Sequence, residues 1–355
     1  EARLAQLDFI APTETNREPI AWEPPPGEGL LLLPSVAYDL PAGTALLMGD
    51  DARRSPGVSQ KDPSLALGRR LKHHELDLLV LGAASSWERG WDLRQVLPSF
   101  RAEGRPRLVD AAPRLGVEFL NVGTEHENEA QPPWLPVLWG RFAWLFNPRY
   151  GALSFYDRPD EALHLWDQLN AARPELVVGL CGLDARANLG EDDALALQTA
   201  ITYVVLPSPP PQDGPARLSM IEDALRQGRS YCALDLLARA DGLRVEVSSP
   251  HHPRRWTMGD TLPMTEGLAL TVASPSVEGV PQRISVFRDG ELQQLRTGSQ
   301  AQLDLSKPGT WRVEVDLNVP NPLGAAPKWT TWIYANPIKV EPPKNPYAPQ
   351  EDSPP

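Results

Sequence analysis

The chain is poor in the residues that most often announce chemistry. Its 355 residues include two cysteines and six histidines. Two thiols make neither a disulfide framework nor a zinc site of the usual spacing. Cys181 and Cys232 lie in strand-like segments and read as two buried free thiols, with a disulfide as the alternative. Positive charge is also scarce: the net charge is −12, and no basic stripe is present. That weighs against a nucleic-acid partner or an anionic membrane surface. No apolar stretch reaches membrane-spanning length. No G-x-G-x-x-G or G-x-x-x-x-G-K-[ST] follows a strand, so a dinucleotide or P-loop site has no support. Ser85-Ser86 follows a strand but has no nucleophile elbow around it. The opening EARLAQ shows no signal peptide, which leaves an upstream leader or anchor open.

Proline and tryptophan are abundant instead, at 39 and 11 residues. Prolines fix many connections and shorten helices. They cluster at 24–29, 207–215 and from Pro342 to Pro355. Trp87, Trp91, Trp134, Trp139, Trp144 and Trp166 read as core and rim packing. The aromatic-dense WLPVLWGRFAWLF could also line a groove or a partner contact.

Two textures divide the chain. Up to about residue 235, apolar runs such as LDFIA, LLLLP, LDLLVLGAA, VEFLNV, ELVVGLCG and AITYVVL alternate with helical patterns such as PSLALGRRLKHHEL and RPDEALHLWDQLNAA. That order predicts a parallel sheet covered by helices, an α/β fold. A (β/α) barrel suits the length best, with an open doubly wound sheet second. After about residue 240, GLRVEVSS, LALTVAS, RISVFRDGELQQL, AQLDLS and TWRVEVDL alternate apolar and polar, with Asp-Gly and Pro-Gly turn signals between them. These predict a small antiparallel β-sandwich. The expected organisation is a barrel over 1–238, a sandwich over 239–341, and an extended proline-rich tail over 342–355.

LDFIAPTETN, LLLLPSVAYDLPAGTALLMG, LVLGAASSW, VVGLCGLDARA, ALRQGRSYCALD, WRVEVDL and WIYANPIKV, taken in order, resemble the polymerase and histidinol phosphatase (PHP) superfamily. The likeness is to its exported, carbaryl-hydrolase-like branch with a C-terminal immunoglobulin-like domain. LDFIAPTETN is similar to that family's "LDFIAITDHN", and LLLLPSVAYDLPAGTALLMG to "viPGiEvttpyGHlllLG". LVLGAASSW stands where "AHP" occurs, and VVGLCGLDARA where "GSDAH" occurs. ALRQGRSYCALD, WRVEVDL and WIYANPIKV are similar to "aLraGrtyva", "YRVEv" and "PWIYSNPIYV".

The resemblance implies a distorted (β/α)7 PHP-type, TIM-like barrel. In active members, metals at the strand ends activate water against an ester. The residues at those positions depart from the pattern. The motif's aspartate is Glu14 and its histidine is Thr15. The third-strand glutamate falls on Ala37, and the nearby histidine on Thr44. The "AHP" histidine falls on Ala83 or Ala84. Asp184 is kept, but the last histidine is Arg186. The first strand, with its His-x-His pair, would lie upstream of residue 1. An alanine offers no lone pair, and an arginine adds positive charge where a cation needs electron density.

The expected function is therefore that of a non-catalytic PHP-like pseudoenzyme, a structural or binding subunit that contacts other proteins and needs no cofactor. One alternative is a metal-dependent hydrolase of phosphoesters or related esters, with Glu14 and Asp184 as ligands to zinc, manganese or iron. The other is a metal-free anion-binding protein using Arg186. Glu14 and Arg186 could pair across the mouth, against separate solvated charges. His73-His74, His251-His252 and TEHENEA at 124–130 read as solvated surface. The branch's habit of export implies an extracytoplasmic location.

Overall fold

A computed structural model describes residues 7–11, 13–15, 30–40, 43–49, 52, 78–82, 114–121, 156, 158–182, 199–319 and 327–343. The N-terminal strands are β1 (Phe9–Ile10), β2 (Thr13–Thr15), β3 (Leu31–Leu32), β4 (Ser35–Leu40), β5 (Gly43–Met48), β6 (Leu79–Gly82) and β7 (Leu115–Asn121). Helix α1 (Asp160–Ala172) follows, then β8 (Val178–Gly182). Strands β2, β4, β5, β6, β7 and β8 form one six-stranded sheet in that order, and β1 pairs with β3 apart from it. The sheet is mixed: β5 runs antiparallel to both β4 and β6, while β2–β4, β6–β7 and β7–β8 are parallel.

The expected α/β, distorted (β/α)7, TIM-like barrel is not what forms. Among the described residues 51% are strand and 13% helix, in multiple sheets with no closed barrel. The sheet ends at β2 and β8, which do not pair with each other. The physical reason is that a continuous apolar run signals a strand buried on both faces but does not by itself fix its partner or pairing direction. AITYVVL and RSYCALD illustrate this. They form β9 (Ile201–Val204) and β10 (Ser230–Ala233), which pair antiparallel with each other instead of extending a parallel barrel.

Between them lies α2 (Gly214–Arg226). Asp213 caps its N-terminus by accepting from the Ala216 amide at 2.9 Å, with a proline in the first turn, which satisfies one orphan donor and pre-sets the entry angle. Ile221 and Leu225 pack on Leu31, Val80 and Val178.

The C-terminal strands are β11 (Arg244–Ser249), β12 (His252–Thr257), β13 (Thr261–Pro263), β14 (Ala269–Ala273), β15 (Gln282–Arg288), β16 (Glu291–Thr297), β17 (Gln300–Asp304), β18 (Gly309–Val319), β19 (Lys328–Ala335) and β20 (Ile338–Glu341). One sheet is β12–β11–β14–β17. The other has eight strands: β13–β20–β18–β19–β10–β9, with β15 and β16 beyond β18. Val245, Val247, Leu270 and Val272 share a core with Ile284, Val286, Val313 and Val315. The hairpin β15–β16 turns at Asp289-Gly290, both with positive φ (52° and 83°). That is the pairing a two-residue turn needs to match strand twist.

The larger sheet crosses the expected division at residues 238 and 239, because β10 pairs with β19. Residues 344–355 of the tail lie outside the described residues. Helix α1 lies against β7 and β8 through Trp166, whose ring stacks on Phe119 (centroids 4.9 Å, planes 5° apart) and whose Nε1 donates to the Val177 carbonyl at 2.7 Å. A side chain at Gly179 would collide with that ring.

Candidate functional site

The expected site positions are brought together only in part. Glu14 and Thr15 lie on β2, parallel to β4, with Glu14 opposite Val36 and Thr15 opposite Ala37. Thr44 is the second residue of β5, opposite Asp39 of β4 on one side and Gly82 of β6 on the other. Glu14, Thr15, Ala37 and Thr44 thus sit on three successive strands. Ala37 is buried and presents only a methyl. Ala83, Ala84, Asp184 and Arg186 lie outside the described residues, as do His73-His74, Ser85-Ser86, TEHENEA and WLPVLWGRFAWLF. Among the described residues no three His, Cys, Asp or Glu side chains converge. His164 bonds Gln168 on α1, and His251 and His252 are exposed.

Three arrangements that the sequence did not single out emerge instead. The first is a groove of about 320 Å³ on the face of the eight-stranded sheet away from the sandwich core. Phe287 and Trp329 are among its lining residues, with Leu292 and Leu295 of β16 beside them. Those leucines are 53% and 51% exposed. The Arg283 guanidinium lies 4.6 Å over the Trp329 ring and donates to Asp316 at 2.6 Å. A cation held over an aromatic face by a carboxylate keeps both flat and ordered. Arg158 closes one end through two bonds to Glu314, at 2.7 and 3.1 Å.

Beside the groove is a buried charge cluster. Arg312 donates to both oxygens of Asp167 on α1, at 3.0 and 2.8 Å, and to Glu314. Burial alone would raise the Glu314 pKa, but Arg312 and Arg158 win and hold it below the usual carboxylate range. This cluster fastens α1 to β18.

The third arrangement is a tyrosine–aspartate pair. The half-buried Tyr203 donates to Asp235 at 2.5 Å, and its ring stacks on Tyr231 at 5.0 Å. Burial pushes the Asp235 carboxyl up to about 6, against the lowering effect of the Tyr203 hydrogen bond. The native state therefore holds this proton more tightly than the unfolded chain does. The resulting stabilisation is full below about pH 4 and is lost as pH rises through about 6. Asp235→Asn keeps an acceptor for Tyr203 and removes the titration. Its Tm relative to wild type should be higher at pH 7.5 than at pH 4.5. Parallel Tm–pH curves for the two proteins would refute the assignment. Because Asp235 is partly exposed, solvent screens the effect and keeps it modest.

A scan against known protein families finds no match. None of the curated proteins matches either. Among solved structures, the chain is similar to the PmoD soluble domain from Methylocystis sp. ATCC 49242 (Rockwell), at 10% identity, covering 28% of this chain and 90% of that one, with a TM-score of 0.22. A likeness at that level carries no conclusion about fold or function. No helix among the described residues is long and apolar enough to cross a membrane.

Proposed function

We propose that this chain is a non-catalytic binding subunit of a protein assembly, carrying a degenerate PHP-like sequence and working outside the cytoplasm. The observation that carries the reading is the exposed leucine pair on the groove wall. Leu292 and Leu295 are the two large hydrophobic side chains most open to water among the described residues. They stand next to an ordered aromatic–arginine floor. Apolar side chains grouped beside aromatic and arginine groups have the composition of a protein contact centre. The occupant is a protein segment with apolar side chains, since two of the three cations lining the groove, Arg158 and Arg283, already face Glu314 and Asp316. The motif positions support the same reading from the other side: the buried Ala37 offers a metal no donor atom. The PHP-like descent rests on motif order, and the closed barrel is not part of it.

The test places a photo-cross-linking amino acid at position 292 or 295 in the full chain, expressed in its native cells, with position 255 on the opposite sheet as control. The same single protein should be captured from 292 and 295 and not from 255. Leu292→Asp with Leu295→Asp should weaken its co-purification at least about tenfold while leaving Tm unchanged. Capture from all three positions alike, or chelator-sensitive ester hydrolysis by the purified chain, would overturn the proposal.

A further inference from the structure

The two cysteines come from different sheets and flank one threonine. Cys181 is the penultimate residue of β8 in the mixed sheet, and Cys232 lies in β10 of the eight-stranded sheet. Thr202 of β9 stands between them. It is directly opposite Cys232 in the antiparallel register. Its Oγ1 lies 3.2 Å from Cys181 Sγ. Strands β8 and β10 also pack against each other. Both sulfurs are free thiols in this structure. The residues are 51 positions apart in the chain, so their proximity is a product of the tertiary fold.

We propose that Cys181 and Cys232 are a disulfide-forming pair that closes in an oxidising compartment and locks the two sheets together. The oxidant is a small or protein disulfide. Cys181 is half-buried and Cys232 is 1% exposed, so an incoming disulfide reaches Cys181 first. The Cys181 thiolate attacks one oxidant sulfur, breaks the oxidant's S–S bond and expels one thiolate. Cys232 gives up its proton and attacks Cys181 Sγ. That step forms the protein disulfide and releases the second oxidant thiol. Two protein thiols are oxidised and one oxidant disulfide is reduced. Burial, the neighbouring thiol and the Glu118 carboxylate together hold the Cys232 proton on. The second step is therefore the slow one, and the mixed disulfide accumulates briefly.

The pair has no role in the binding-subunit reading, so either can fail without the other. The test incubates the purified full chain with oxidised glutathione and follows intact mass and Tm. Wild type should pass through a transient glutathionyl adduct and end lighter by two hydrogens. Its Tm should rise by roughly 5 °C, because the bond closes a long loop, and dithiothreitol should reverse the rise. Cys232→Ala should stop at a stable adduct on Cys181, while Cys181→Ala should resist the reagent. A lasting adduct on wild type, an unchanged wild-type mass, or intermolecular dimers would each overturn the proposal.

Discussion

Replacing Arg312 with alanine should lower the unfolding free energy by about 3–5 kcal/mol, the cost of leaving buried carboxylates without their partner. Arg312 is 3% exposed and touches every group around it. Its guanidinium bridges Asp167 and Glu314 and lies 4.7 Å from the Phe287 ring centre and 5.6 Å from that of Trp166. Truncation removes the charge and the stacking plate together. Glu314 would keep Arg158, but Asp167 on α1 would lose its two bonds into β18.

Control variants separate charge from packing. Arg312→Met restores volume without charge and should remain strongly destabilised. Arg312→Met with Asp167→Asn and Glu314→Gln removes the uncompensated charge and should recover a large part of the loss. Urea midpoints at constant slope give these values. A loss below about 1 kcal/mol for Arg312→Ala would place the cluster in solvent and sink the account.

Arg312 also shows what the sequence could and could not reveal. TWRVEVDL alternates cleanly, and the alternation does put Trp311, Val313, Val315 and Leu317 in the sandwich core. The opposite face, Arg312, Glu314 and Asp316, reads as solvent-facing by the same rule. All three are buried. Alternation reports which residues share a face, not what later covers it. Here α1, about 150 positions earlier in the chain, and Arg158 cover that face. The signal available was the opposed signs of three charges on one face, with no apolar residue among them.

The sheet assignments failed for a related reason. The strand positions in LDLLVLGAA, VEFLNV and ELVVGLCG were legible because fully apolar runs are hard to place elsewhere. So was the parallel pairing of these three in chain order; the pairing of AITYVVL and RSYCALD was not. A strand-then-helix order favours parallel pairing only when the next strand returns beside the last. After α2 the chain instead runs back antiparallel to β9, and β19 takes the other side of β10. At the candidate site, Thr15 and Ala37 stand opposite each other on β2 and β4. The groove, Asp235 and the cysteine pair join residues from distant segments, and no local pattern encodes those encounters.

Asn336 carries the second large expected effect. It lies in the short link between β19 and β20, inside WIYANPIKV, where Asn-Pro reads as an ordinary turn signal. Its side chain is 2% exposed and fully used. Oδ1 accepts from the Gly179 amide at 2.6 Å. Nδ2 is 2.9 Å from each of three acceptors: the Gly179 carbonyl, the Ser230 carbonyl and Ser230 Oγ. Gly179 belongs to β8 of the mixed sheet, and Ser230 to β10 of the eight-stranded one. One amide therefore bonds backbone groups of two sheets.

Asn336→Ala strips the side-chain partner from the Gly179 N–H and carbonyl, at about 1–3 kcal/mol each before relaxation or water entry, while the Ser230 carbonyl keeps the Asn336 main-chain N–H at 3.3 Å. A net loss of about 3 kcal/mol is expected. Asn336→Asp keeps the acceptor for Gly179 but aims a carboxylate at the carbonyls Nδ2 had served, so it should be no better than alanine at pH 7 and should improve on acidification. Hydrogen exchange provides the sharper reading. In Asn336→Ala the Gly179 amide should accelerate more than the Val247 and Val313 amides of the sandwich, whose acceleration is capped by the fall in global stability. Uniform acceleration of all amides would mean that Asn336 supports the whole fold equally, and the sheet-to-sheet clamp would have to be abandoned.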